Sequence, residues 1–204
     1  MELPTQFLTL QEQAIFLAHS QYIDWQDEQI LTTAKQLANN TRNREEIAKR
    51  CFEFVRDQIK HSVDLQMNPD TCKASDVLKY GTGYCYAKSH LLAALLRANG
   101  IPAGLCYQRL AVDEQQFCLH GLNAVYLEEH GWYKIDPRGN NAKVQSDFCP
   151  PLESLAFMVT RDGEVDFANI YAEPLPVVVS VLEASSGYLE VLGNLPDGVE
   201  GDLI

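Results

Sequence analysis

Apolar residues recur every three or four positions through much of the first hundred residues, which is the spacing of one helix face. The first such helix is predicted from Asp24, as its N-cap, to about Asn39. A second is predicted from Asn43, its N-cap, to Ile59. A third begins near Cys85, is apolar around most of its circumference and ends at "NG". We therefore expect this third helix to be central and buried.

The segment between the second and third helices has weaker signals. Residues 61–74 read as a loop with a turn at "NPD", and Ser75 is a plausible cap for a short helix over "DVLKY". Gly81 and Gly83 then break that helix immediately before Cys85.

After residue 100 the pattern changes to the alternation of strands. "AGLCYQRLAV" predicts one strand, and "FCLHGLNAVYLEEHGWYKIDP" predicts a hairpin around residues 129–131. From residue 147 we expect a short helix after "PP" and edge strands such as "PVVVSVL" that complete the sheet, although this last segment could instead cover a cleft. Helices followed by a largely antiparallel sheet predict the α+β class.

Composition sets limits on this picture. The chain has 204 residues, 46% hydrophobic and 22% charged, which fits one folded domain over residues 1–204 with its core at about 43–140. The net charge is −12, and residues 147–204 form an acidic C-terminal extension with one basic residue and 11 acidic ones. An acidic protein of this kind is a poor nucleic-acid binder.

Targeting and metal signals are also missing from the sequence. No apolar run approaches the roughly 20 residues of a membrane span, and the start lacks the basic and apolar regions of a signal peptide. We therefore expect a cytoplasmic protein without a membrane partner. The six cysteines lack metal-site spacing, so we expect free thiols and neither a metal nor a cofactor.

Cys85 carries the strongest chemical signal. In a purely structural interpretation, Cys85 is a thiol buried in the core beneath a turn. However, the first turn of a helix has unpaired N–H groups and a partial positive charge, which stabilise a thiolate. The preceding glycines would let a substrate backbone approach, and the N–H of Cys85 could donate to an oxyanion.

A thiol nucleophile needs a base and a group that orients the base. Of five histidines, His120 opens a strand arm of the predicted hairpin and Asp136 closes the other. The sum of their numbers is even, so both side chains lie on one face of the sheet. Direct opposition needs a turn centred on Glu128, one residue before the visible turn signal, and a small stagger would reconcile the two. The remaining histidines have a non-catalytic explanation or lack an acidic residue that could orient them: His19, His61, His90 and His130.

Three blocks, "GTGYCYAKSHLLAALLRANGIPAG", "HGLNAVYL" and "GWYKIDPRG", together resemble the core of the transglutaminase-like superfamily, and "FEFVRDQIKHS" resembles its approach helix. The resemblance covers about half of the chain. It implies a papain-like α+β fold in which the cysteine helix packs on an antiparallel sheet. It also implies that Cys85 is the nucleophile, His120 the general base and acid, and Asp136 the residue that orients the imidazole.

The sequence departs from the family pattern at two points. Leu122 stands where many members have tryptophan, two residues after the histidine. The family often supplies an aromatic or amide side chain to the oxyanion hole, for which Gln66 and Tyr84 are the candidates.

The resemblance implies a cysteine peptidase or amidase that acts through an acyl-enzyme on peptide-like amides of a peptide or protein substrate. The alternatives are protein-glutamine acyl transfer, which crosslinks, and a catalytically silent binding module on the same fold. No D-x-[DN]-x-[DN]-G calcium loop occurs. An arylamine N-acetyltransferase is disfavoured because its R-G-G-x-C motif has no counterpart in "GTGYC". The sequence predicts no oligomeric state.

Overall fold

The computed structural model describes residues 8–199. Eight helices occur in this range: Leu10–Ile15 (α1), Glu28–Ala38 (α2), Arg44–Gln58 (α3), Ser62–Leu65 (α4), Ala74–Tyr80 (α5), Cys85–Ala98 (α6), Pro176–Ala184 (α7) and Tyr188–Gly193 (α8). Eight strands occur there: Lys60–His61 (β1), Thr82–Gly83 (β2), Ala103–Ala111 (β3), Phe117–Leu127 (β4), Gly131–Ile135 (β5), Asp147–Cys149 (β6), Leu152–Ser154 (β7) and Val165–Asp166 (β8). The predicted order of helices followed by sheet is confirmed.

The main sheet has four antiparallel strands in the order β5-β4-β3-β8. β3 pairs with β4 along its whole length, from Ala103 opposite Val125 to Ala111 opposite Phe117. β5 is shorter and pairs only with residues 123–127 of β4. The β5-side edge of β4 is therefore free of β5 over residues 117–122, where the candidate site lies and where the Leu119 N–H donates to the Pro196 carbonyl. A second, two-stranded parallel sheet joins β1 to β2.

Helix α6 is the centre of the fold, as its all-round apolar pattern predicts. Thirteen of its residues, from Cys85 to Arg97, are buried. It packs on β3 and β4 on one side and on α2, α3 and α5 on the other. Burial of its four leucines, Leu91, Leu92, Leu95 and Leu96, anchors the start of the helix in a rigid core.

The helix caps are partly as predicted. Asn43 caps α3 by accepting a hydrogen bond from the Glu46 N–H at 3.1 Å. The predicted N-cap of the preceding helix is wrong, because Asp27 caps α2. Asp24 instead accepts bonds from the N–H and hydroxyl of Ser75, so its carboxylate ties the N-terminal segment to α5. Ser75 is consequently not a cap either, since α5 already begins at Ala74.

Three local predictions are wrong. The segment "PVVVSVL" is helix α7, because Pro176 is pre-organised for the first turn and Val178 and Leu182, four residues apart, bury one helix face. Residues after "PP" form strand β7 of the β6–β7 hairpin, not a helix. The predicted loop at 61–74 contains the end of β1 and the short helix α4. In each segment tertiary pairing or packing decides between weak local preferences.

The acidic C-terminal extension packs against the rest of the fold. Val178, Leu182 and Val191 belong to the same core cluster as α6, and Tyr171 forms an isolated bridge with Leu105 at the other edge of β3. Each of the six cysteines is a free thiol. Within residues 8–199, the helices are too short or too polar to cross a bilayer.

Candidate active site

Cys85 is the first residue of α6, directly after Tyr84, which occupies the N-cap position without a side-chain cap. Its backbone N–H donates to no acceptor within residues 8–199, as expected for the first turn of a helix. The thiol is 7% exposed, so a substrate can reach it only from the cleft. The predicted position of the cysteine at a helix start is therefore confirmed.

The glycines before Cys85 have a different role from the one that the sequence suggests. Gly81 ends α5 in the left-handed conformation, with φ of 67°. A Cβ on Gly83 would lie 3.0 Å from the Thr71 hydroxyl and 3.1 Å from the Ala87 Cβ. Gly83 therefore faces the interior, where it allows β2 to pack closely. The expectation that it clears the path of a substrate is wrong.

His120 lies in β4 and Asp136 follows the end of β5. The imidazole Nε2 of His120 is 2.8 Å from the carboxylate Oδ2 of Asp136, and the pair is buried. The β4–β5 register places Asn123 opposite Ile135 and centres the turn on Glu129. His120 and Asp136 are therefore staggered rather than directly opposed, as the position of the turn signal requires.

The carboxylate of Asp136 is held by several donors besides His120. Its Oδ1 accepts the backbone N–H of Arg138 at 3.0 Å, and its Oδ2 accepts that of Ala156 at 3.1 Å. Burial opposes the negative charge, but His120 and these two N–H groups outweigh it and hold the pKa of Asp136 below its usual range. The side chain is thus a fixed anion behind the imidazole.

Cys85 lines the same cleft as His120 and is close enough to affect the pKa of the imidazole. Because Nε2 is engaged with Asp136, Nδ1 is the ring nitrogen left for another partner. Burial would lower the pKa of His120, but the carboxylate of Asp136, together with the neighbouring Cys85, outweighs it and raises the pKa to about 10. The structure thus joins His120 to Asp136 by a hydrogen bond and places Cys85 and His120 on the wall of one cleft.

Gly121 brings β4 against the start of α6. Its N–H donates to the Cys85 sulfur at 3.5 Å. A Cβ at this position would lie 2.8 Å from Cδ1 and 3.0 Å from the Cα of Tyr86. Any side chain there would push the two elements apart. The "HG" pair is therefore a signal that sequence reasoning missed, because the glycine after the histidine fixes its distance from the cysteine.

A cleft of about 340 Å³ opens over Cys85 and His120. Its walls are mostly apolar and include Val63, Leu110, Leu119, Phe157, Leu192 and Leu195. Besides His120, the two charged residues on the walls are both engaged. The guanidinium of Arg138 donates to both carboxylate oxygens of Asp64, at 2.6 and 2.8 Å, and Glu164 accepts three backbone N–H groups. The cleft therefore suits an apolar group.

The two candidates for a further oxyanion donor do not fit. Gln66 is exposed at the end of α4 and does not line the cleft. Tyr84 lines it, but its hydroxyl donates to the carbonyl of Tyr188. His61, which the sequence analysis set aside for lack of an acidic partner, lies on the cleft wall. Its sequence signal was its position after the approach helix, where β1 pairs with β2.

The other histidines lie away from the cleft. His90 is buried in α6 with Nδ1 2.7 Å from the Cys72 carbonyl. His130 is at the hairpin turn, 3.3 Å from Glu45. His19 is exposed beside Trp25. These positions agree with non-catalytic roles for the three histidines.

Comparisons with known proteins agree with this architecture. A candidate cysteine protease from Cytophaga hutchinsonii superposes with a TM-score of 0.52 at 20% identity, covering 67% of this chain and 45% of its own. The periplasmic domain of TgpA from Pseudomonas aeruginosa gives 0.50 at 17% identity, with coverages of 64% and 48%. The present chain thus spans less than half of either structure, and at these identities the likeness concerns the fold alone.

The comparison with curated proteins found no match. The sequence profile of the transglutaminase-like superfamily, however, matches residues 31–137, which is more than half of the chain and includes Cys85, His120 and Asp136. This match, together with the antiparallel sheet and the central cysteine helix, shows that the chain belongs to the transglutaminase-like superfamily.

Proposed function

We propose that this protein is a thiol hydrolase that cleaves peptide-like amides through an acyl-enzyme, with Cys85 as nucleophile, His120 as general base and acid, and Asp136 as the residue that orients His120. The observation that carries the proposal is that Cys85 and His120 line one cleft and that the buried carboxylate of Asp136 is bonded to His120. Nucleophile, base and orienter within hydrogen-bond reach are the parts that acyl transfer requires.

The resting site is a thiolate–imidazolium pair in this mechanism. Asp136 is an anion and His120 has a pKa of about 10, so the imidazole holds a proton at neutral pH. The proposed partner of this cation is a negative charge on the Cys85 sulfur. The first-turn dipole of α6 and the N–H of Gly121 stabilise that charge. Cys85 is therefore ready to attack without prior deprotonation.

Acylation begins when the thiolate attacks the substrate carbonyl and the C–S bond forms. The carbonyl π electrons move to oxygen, and the N–H of Cys85 donates to the resulting oxyanion. The oxyanion then collapses, the C–N bond breaks, and His120 gives its proton to the leaving amine. The products of this half-reaction are a free amine, a thioester on Cys85 and a neutral imidazole.

In deacylation His120 changes from general acid to general base. The neutral imidazole of His120 takes a proton from water as the water oxygen attacks the thioester carbonyl. The tetrahedral intermediate expels the thiolate, and a carboxylic acid leaves. Water as the acceptor makes the protein a hydrolase. The apolar cleft walls favour a peptide or protein substrate with an apolar residue beside the scissile amide.

The test is mass-spectrometric profiling of a peptide library that also contains a primary amine. The natural-sequence protein should release hydrolysed products, and Cys85→Ala should release none. Cys149→Ala is the matched control, because it removes an exposed thiol away from the cleft and should leave the products unchanged. Amine-linked products would instead establish crosslinking. Identical product sets with and without Cys85 would overturn the proposal.

A further inference from the structure

His61 is built into the same cleft by the backbone. It ends strand β1, which pairs in parallel with β2 so that His61 is the partner of Gly83, two residues before Cys85. Paired strands are about 4.8 Å apart, so the His61 backbone runs alongside the approach to the cysteine. Its ring lies edge-on to Tyr84 at 5.5 Å between centroids and forms part of the cleft wall with Cys85 and His120.

The imidazole of His61 has no partner within residues 8–199. Nδ1 is buried without a hydrogen bond. Nε2 also bonds to none of these residues and is not enclosed by protein. Nε2 is therefore the ring nitrogen left accessible to a bound molecule, and His61 lines both this cleft and the adjoining pocket with Asp64 and Arg138. A buried imidazole without a partner is unfavourable, so such groups in native proteins call for an explanation.

The charge state of His61 differs from that of His120. Burial and the nearby cation of Arg138 lower the pKa of His61 to about 3, outweighing the attraction of Asp64. The ring is therefore neutral at pH 7 and carries a single N–H. His61 can donate a hydrogen bond from Nε2 but does not compete with His120 as the imidazolium of the ion pair.

We propose that His61 supplies the second donor of the oxyanion hole, its Nε2–H acting together with the backbone N–H of Cys85. This inference rests on the proposed acyl-transfer function. When the thiolate attacks, the carbonyl electrons move to oxygen, and the hydrogen bond from His61 strengthens as that charge develops. No proton is transferred from His61, which is neutral before and after the step. Neither of the candidates from the sequence supplies this donor. Gln66 is exposed, and the Tyr84 hydroxyl already donates to the Tyr188 carbonyl.

The test compares two reactions of Cys85 that differ in their need for an oxyanion hole. Alkylation by iodoacetamide displaces iodide at carbon and forms no oxyanion. Acylation by p-nitrophenyl acetate forms a tetrahedral oxyanion and releases p-nitrophenol. His61→Phe keeps a ring without the N–H, and His61→Gln places an amide N–H near the position of Nε2.

His61→Phe should lower the acylation rate constant about 10²–10³-fold and leave the alkylation rate within about twofold. His61→Gln should acylate at least about tenfold faster than His61→Phe, because its amide N–H replaces part of the lost donor. Thermal unfolding of both variants monitors the fold. Normal acylation by His61→Phe would overturn the proposal, and so would parallel losses of acylation and alkylation, which indicate a structural role. Failure of the proposed function looks different, because the natural-sequence protein itself would then not acylate.

Discussion

His120 and Asp136 are bonded at 2.8 Å although they are not opposite each other in the β4–β5 ladder. Pairing of these strands ends at Asn123 and Ile135. Asp136 is therefore the first residue free of the ladder, and its carboxylate can reach along β4 to the imidazole. The early end of β5 thus both exposes the edge of β4 at the cleft and releases the anion that holds His120.

Asp136→Asn tests the role of this anion. The amide keeps the shape of the side chain but removes the charge that raises the pKa of His120. We expect kcat/KM to fall about 10³–10⁴-fold, since a neutral partner no longer holds the imidazolium. Asp147→Asn is the control, because Asp147 is an exposed acid paired with Arg56 away from the cleft. Equal activities of the two variants would contradict the assignment.

The pH dependence of stability follows from the same pair. The folded pKa of His120 is raised to about 10, above the unfolded value of about 6.5. Its stabilising contribution is therefore complete below about pH 6.5 and is lost as the pH rises to about 10. In urea unfolding measured from pH 6 to 10, the free energy of unfolding of the natural-sequence protein should exceed that of His120→Ala at pH 6, and this difference should shrink as the pH rises. A constant difference across this range would show that the imidazole is not charged in the fold.

Gly121→Ala tests the contact between β4 and α6. The new Cβ would lie 2.8 Å from the Tyr86 ring and 3.0 Å from its Cα, and the backbone cannot yield cheaply. We expect a loss of about 1–3 kcal/mol in the free energy of unfolding and a larger proportional loss of activity, since Cys85 moves away from His120. Gly193→Ala, with open space at its Cβ position, should be neutral in both assays.

Deletion of the residues after Asn169 tests the C-terminal extension. It removes Val178, Leu182 and Val191 from the main core, and each such side chain contributes about 1.5–3 kcal/mol when buried. The truncated protein should be unfolded by circular dichroism. A soluble and more active truncation would instead show that the segment is a lid over the cleft. Leu192 and Leu195, which belong to this segment, line the cleft.

Long, strongly patterned elements were predictable from the sequence. The apolar circumference of α6 and the turn at Glu129 fix the central helix and the hairpin. The sequence predicts Cys85, His120 and Asp136 as site residues because Cys85 begins the central helix and the other two lie on the arms of the predicted hairpin. The even sum of the His120 and Asp136 numbers also placed them on one face.

Features that depend on contacts between distant segments were not predictable. Pro176–Ala184 is β-branched and strand-like in composition, yet its burial with the core selects a helix. Asp24 looks like a cap but bonds to Ser75, 51 residues away. His61 was dismissed because its environment depends on the β1–β2 pairing, which two-residue strands do not reveal in a sequence.

The central claim is that Cys85 is a thiolate held by His120, and the pH profile of iodoacetamide alkylation tests it most directly. The labelled residue is identified by mass spectrometry, and His120→Ala is measured in parallel. The account predicts that Cys85 of the natural-sequence protein alkylates rapidly well below pH 8 and that His120→Ala loses this low-pH reactivity. An ordinary thiol profile, rising toward about pH 8.5 and unchanged in His120→Ala, would contradict it.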